Sequence, residues 1–184
     1  MIPQLARRPL RVLISAGPTR EPIDPVRFIS NYSTGYMGAR LAAEAMRRGH
    51  RVTVVSGPSV EPLPVGSRVI PAGSASDMEA VLRREAPRSD VIIMAAAVSD
   101  FRAERPAAAK HPRSARLTLR LRATPDLVAR LPRRDRQLVI GFALETGEIL
   151  RRAAQKLRAK RLDLLLAQDA GRGSPFGRRR VRAW

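Results

Sequence analysis

Residues Arg11 to Gly38 read RVLISAGPTREPIDPVRFISNYSTGYMG, and the order of their parts decides the fold. Val12, Leu13 and Ile14 form a short apolar run, the pattern of a strand buried on both faces. Gly17 and Pro18 stop it. A polar segment with Thr19, Arg20, Glu21, Asp24 and Arg27 follows, and Ser33, Thr34 and Gly35 then open a helix expected over 37–48, with Leu41, Ala45 and Met46 as its apolar stripe. Strand, long polar loop and helix start thus come in sequence. In open α/β sheets, ligands lie beyond the carboxyl ends of the strands, where helix-start N–H groups favour anions. This loop falls there.

Working outward, Gly49 ends the helix and RVTVVS, 51–56, gives a second buried strand, completing a βαβ unit. A proline-rich loop over 59–65 leads to a short strand over 67–72 and a helix over 76–85, with Ser76 and Glu79 spaced as a capping box. DVIIMAA, 90–96, is the most apolar run and is placed at the centre of the sheet. Ala95, Ala96, Ala97 and Asp100 at its end would let a ligand approach the backbone beside a carboxylate; tight helix packing explains the alanines equally well. Residues 101–113 lack periodicity and read as an exposed, mobile loop. Leu117, Leu119 and Leu121 then alternate with polar residues as a half-buried strand, and Thr124, Pro125 and Asp126 start a short helix through Leu131. QLVIGFA, 137–143, a helix over 148–161 and an apolar strand over 162–167 complete the alternation. The expectation is a single-domain α/β protein over 1–184: a three-layer α/β/α sandwich on a Rossmann-like, mainly parallel sheet, with a loose lead-in over 1–9 and a basic tail over 171–184.

The totals narrow the chemistry. There is no cysteine, which removes disulfides, thiolate metal sites and a thiol nucleophile, and agrees with a cytoplasmic setting. No leader and no apolar run near twenty residues stands out, so no membrane partner is expected. The net charge of +19 raises nucleic-acid binding, but the arginines are scattered, aromatic residues make up 4% and no nucleic-acid motif is present, so none specific is expected. Among 35 basic residues only Lys110, Lys156 and Lys160 are lysines. Either chance placed them, or a compact ammonium is wanted on phosphates, as is common in nucleotide sites. Lys156 and Lys160, four apart, share one helix face.

Obvious motifs fail. The chain lacks Gly-x-Gly-x-x-Gly, and its second strand ends in Ser56-Gly57 where a dinucleotide site wants a carboxylate, which weakens an NAD(P)-binding reductase reading. There is no P-loop, and His50 and His111 have no zinc-type spacing.

The residues do resemble one family. AGPTREPIDPVRFISNYSTGYMG is similar to the opening of phosphopantothenoylcysteine synthetase. AAAVSDFR, Lys110, TPDL, GFALET, KLRAK and LDLLLAQD follow in that family's order across about residues 10 to 170. The resemblance implies a ligase of coenzyme A biosynthesis joining 4′-phosphopantothenate to L-cysteine, with CTP (or ATP) as co-substrate, Mg²⁺, an acyl-cytidylate intermediate and a homodimer. It implies catalytic roles for Asn31 and Lys110. It further implies nucleotide contacts at Gly17, Ala95, Ala96, Ala97, Asp100, Lys110, Pro125, Asp126, Leu127, Val128, Phe142, Lys156 and Lys160, and substrate contacts at Asn31, Ser33, Thr34 and Gly35. No particular metal ligands are implied, and no FMN is expected. Activating a carboxylate against a triphosphate needs cations and oriented donors rather than a nucleophilic side chain, so a cysteine-free chain suits it. Departures are Tyr36 where lysine is frequent, Gln168 where asparagine is frequent, few lysines around Lys110, and an end that comes before the further strands usual in that family. A nucleotide-binding homologue without catalysis is the alternative.

Overall fold

The computed structural model describes residues 8–170. The lead-in up to residue 7 and the tail over 171–184 lie outside them. The elements run β1 (Arg11–Ala16), β2 (Arg20–Pro22), β3 (Phe28–Ser30), α1 (Tyr36–Arg47), β4 (Arg51–Ser56), β5 (Arg68–Pro71) and α2 (Ala75–Glu85). A 3-10 turn (Ala86–Arg88) follows, then β6 (Val91–Met94), β7 (Phe101–Ala103), β8 (Leu121–Ala123), β9 (Leu138–Glu145), α3 (Ile149–Ala159) and β10 (Leu164–Asp169).

Six strands form one parallel sheet in the order β10-β9-β6-β1-β4-β5. Its centre is apolar because Val12 pairs with Val52 on one side and Val91 on the other, and neither face can meet water. One face packs Leu13, Val55, Ile92 and Val139 with Met78 and Leu82 of α2 and Leu157 of α3. The opposite face packs Ile14, Val54 and Ile93 with Ala42, Leu41 and Ala45 of α1. The three layers are therefore α1, the sheet, and α2 with α3, as expected of a doubly wound fold.

The order fixes where a ligand can enter. From β1 the chain moves outward through α1 to β4 and β5, then returns through α2 to β6 on the other side of β1. The topological switch point thus lies between the carboxyl ends of β1 and β6.

Several local expectations need correction. The polar segment after β1 is not plain loop: β2 and β3 pair as an antiparallel hairpin. The α2 cap is Ser74 with Asp77, not Ser76 with Glu79; Ser74 Oγ accepts from Asp77 N–H and Asp77 Oδ2 accepts from Ser74 N–H, starting the helix one residue earlier. Residues 101–103 are strand rather than loop, paired with β8. The expected strand at Leu117 and Leu119 begins only at Leu121, and Leu117 is exposed, so the period-2 pattern there covers no core. Residues 127–130 form a turn and not a helix; Asp126 Oδ1, rather than Thr124, accepts its N–H groups from Val128 and Ala129. Thr124 Oγ1 instead donates to the Ser99 carbonyl at 2.5 Å.

Candidate functional site

Two loops meet at the switch point. After β1, Gly17 turns with φ +77°, a left-handed conformation that suits glycine. Its carbonyl accepts from Ala97 N–H at 2.9 Å, and Thr19 N–H donates to the Ala97 carbonyl at 3.3 Å, so the β1–β6 pairing continues past both strands as a bridge of Pro18 with Ala97. Thr19 is fully buried, and its Oγ1 accepts from Ser99 N–H at 3.0 Å. Ser99 in turn holds Thr124, whose N–H donates to the Asp100 carbonyl at 2.9 Å. Gly17, the 95–100 segment and the 124–128 segment are therefore one hydrogen-bonded frame.

Asn31 is fastened to that frame. Its Nδ2 donates to the Val98 carbonyl at 2.9 Å and lies 3.4 Å from the Ala97 carbonyl. Because both partners are acceptors, the amide nitrogen must face them. Oδ1 is left directed away from them, on an exposed residue. Ser33, Thr34 and Gly35 stand at the start of α1: Thr34 Oγ1 accepts from Tyr36 N–H and Ser33 Oγ from Gly35 N–H. Gly35 is the N-cap at φ +83°, so the helix opens on a glycine and not on a capping side chain.

Two of the three lysines converge on carboxylates. Lys160 Nζ lies 3.0 Å from Asp126 Oδ2 and Lys156 Nζ lies 2.5 Å from Glu145 Oε1. Glu145 is buried at the end of β9 and also faces Arg152 at 3.5 Å. Burial works to raise the Asp126 carboxyl, but the Ala129 N–H and Lys160 outweigh it and hold its pKa below the ordinary value. Phe142 is half-buried on β9 and, like Ala95, packs against the core cluster on the α1 face.

Lys110 is exposed and touches none of these groups. The segment that carries it is exposed, as expected, and is anchored to the β2–β3 hairpin at two points. Ala107 N–H donates to the Ile23 carbonyl at 2.8 Å, and His111 N–H donates to Asp24 Oδ2 at 3.2 Å. Asp24, buried at the tip of the β2–β3 hairpin, also accepts from Val26 and Arg27 N–H and from the Arg27 guanidinium, which holds its carboxyl well below the usual range. The anchoring role of Asp24 and the pairing of Glu145 were not expected from the sequence, although Asp24-Pro25 three before Arg27 is an Asx-turn signature that points to the first.

No group of three or more His, Asp and Glu that could hold a metal occurs among the described residues. No helix among them is long and apolar enough to cross a membrane.

A doubly wound parallel sheet whose loops meet at its switch point defines a Rossmann-like α/β protein, a class in which ligands bind beyond the carboxyl ends of the strands at that point. The chain belongs to the DNA/pantothenate metabolism flavoprotein C-terminal domain family, whose model matches residues 8–183. It is 42% identical over 166 residues to the coenzyme A biosynthesis bifunctional protein CoaBC of Escherichia coli K12, a match covering 87% of this chain and 41% of that protein. The chain thus spans under half the length of that relative. A solved structure of the C-terminal domain of CoaBC superposes with a TM-score of 0.77 at 37% identity, covering 88% of this chain and 78% of that one. A Cab2 mutant in complex with phosphopantothenate-cysteine shares the fold at TM-score 0.71 and 21% identity, over 88% of this chain and 73% of that one. The resemblance read from the ordered motifs is borne out at the level of the family and the fold.

Proposed function

We propose that this protein joins 4′-phosphopantothenate to L-cysteine in coenzyme A biosynthesis, through an acyl-nucleotide formed with CTP. The observation that carries the reading is Asn31, locked by its Nδ2 onto the Val98 carbonyl at the switch point, with Oδ1 turned outward in a chain homologous to the C-terminal domain of CoaBC. A neighbour of the same fold holds phosphopantothenate-cysteine, the expected product.

In the first step a carboxylate oxygen of phosphopantothenate attacks the α-phosphorus of CTP, the bond to the β-phosphate breaks and pyrophosphate leaves. In the second, the cysteine amine attacks the acyl carbon, the bond to the CMP oxygen breaks and the amine gives up a proton. The Asn31 carbonyl can accept a hydrogen bond from that amine while staying neutral, and Lys110, Lys156 and Lys160 balance phosphate charge. Gly17, the Ala95 to Ala97 turn, Asp100, Pro125 to Val128 and Phe142 would border the nucleotide, and Ser33, Thr34 and Gly35 the pantothenate arm. Lys156 and Lys160 are already paired with Glu145 and Asp126, so bound phosphates must compete with those carboxylates. The described residues offer no cage for Mg²⁺, so the ion would be carried by the nucleotide's own oxygens. A cytoplasmic homodimer belongs to the same reading, and its mass in solution tests that part.

Mixing the protein with phosphopantothenate, cysteine and CTP is expected to release pyrophosphate and CMP in equal amounts, and to do so faster than with ATP. Nucleotide binding without release would favour a non-catalytic homologue and overturn the ligase.

A further inference from the structure

Beside the switch-point loops, a cavity of about 370 Å³ lies between the start of α2 and the β2 and β7–β8 arms. Its lining includes Arg20, Arg102 and Arg122, and none of the residues assigned above to nucleotide or substrate. Arg102 and Arg122 are direct partners across the antiparallel β7–β8 pair, so their side chains leave the same face of the ribbon. Like charges directly opposite destabilise a pair of strands, and neither arginine has an ion-pair partner among the described residues. Arg102 Nε is buried with no hydrogen-bond partner, an arrangement that costs free energy until an acceptor arrives. Arg20 lies over the Phe28 ring at 4.6 Å, which fixes its guanidinium without neutralising it.

The two acids in the lining are already committed. Glu21 Oε1 accepts from Ala75 N–H at 2.8 Å, and Asp77 caps Ser74. They also use the first donors of α2, so an incoming anion would be held by guanidinium groups and not by the helix start.

We propose that this cavity is an anion site, separate from the catalytic crevice, for a phosphate group, either the free ion or a small phosphomonoester. Planar guanidinium forks pair bidentately with phosphate oxygens, and one doubly charged group placed between Arg102 and Arg122 would satisfy the buried Nε and remove the like-charge contact together. The proposal stands whether or not the ligase reading does.

Inorganic phosphate and glycerol 3-phosphate, titrated by calorimetry at constant ionic strength, test it. Both are expected to bind the parent protein and the Lys156→Gln, Lys160→Gln double variant alike, and to bind Arg102→Gln and Arg122→Gln at least about tenfold more weakly. Tighter binding of one probe identifies whether the free ion or the ester is the natural occupant. In phosphate-free buffer, Arg122→Gln is expected to melt no lower than the parent, because the opposed charges are relieved. Unchanged affinity in both arginine variants would overturn the proposal. So would dissociation of the assembled protein by Arg122→Gln, since the cavity would then receive a carboxylate from a second copy.

Discussion

His111 donates its backbone N–H to the buried Asp24 carboxylate at 3.2 Å, across 87 residues of sequence. The hairpin after β1 thereby grips the segment bearing Lys110, one residue away, so an exposed cation is carried on a fixed base. Asp24→Asn keeps the shape and removes the charge that binds Arg27 and His111. This variant is expected to lower turnover more than substrate affinity, and to be cut faster after Lys110 by a lysine-specific protease. Unchanged cleavage would show that the clasp does not hold the segment.

Arg11 clamps Asp90 through its backbone N–H, Nε and a terminal nitrogen, joining the starts of β1 and β6. The Arg11 hydrogen bond, working against burial, lowers the Asp90 carboxyl from 3.8 to about 2. A depressed carboxyl stabilises the fold while ionised, so its contribution is complete above about pH 4 and fades as pH falls towards about 2. Thermal melts across that window are expected to show a shallower loss in Asp90→Asn than in the parent; equal slopes would remove Asp90 from the acid response.

α1 lies close on β1 because Gly38 has no side chain. A Cβ there would sit 2.4 Å from Ala16 Cβ and 3.0 Å from Ala16 Cα, both parts of the sheet that cannot swing aside. Gly38→Ala is expected to destabilise by about 1–3 kcal/mol in chemical denaturation, despite alanine's better helix propensity. A stabilised variant would mean that α1 can shift outward.

Asn31 and Lys110 separate the two proposed steps. Asn31→Asp replaces a neutral amide with a carboxylate that has no N–H for Val98 and repels the intermediate. It is expected to slow the amine's attack and let the acyl-cytidylate accumulate, seen by mass spectrometry. Lys110→Gln is expected to stop its formation. Normal turnover in both would displace the site.

How much could be read in advance depended on the kind of signal. The sheet strands were legible because a buried parallel strand announces itself locally, as Val12 to Ile14 and Val91 to Met94 do. The β2–β3 hairpin and β7 were not, since these strands are three residues long and largely exposed, and of β8 only its start at Leu121 was expected. The leucines at 117 and 119 misled for the converse reason: alternation specifies a face only where something covers it. In the site, Asn31 and the 95–100 segment came from an ordered series of motifs, and the structure joins them. The pairings of Lys156 with Glu145 and of His111 with Asp24 are tertiary, and spacing in one chain carries no trace of them.

The central claim is that an oxygen of the acid passes through a bond to the nucleotide. Phosphopantothenate carrying ¹⁸O in both carboxylate oxygens, incubated with the protein, cysteine and CTP, tests this by the mass of the released CMP. One heavy oxygen in CMP is expected, the other staying in the amide. CMP without label, with the heavy oxygen in water or in inorganic phosphate, would contradict an acyl-nucleotide intermediate.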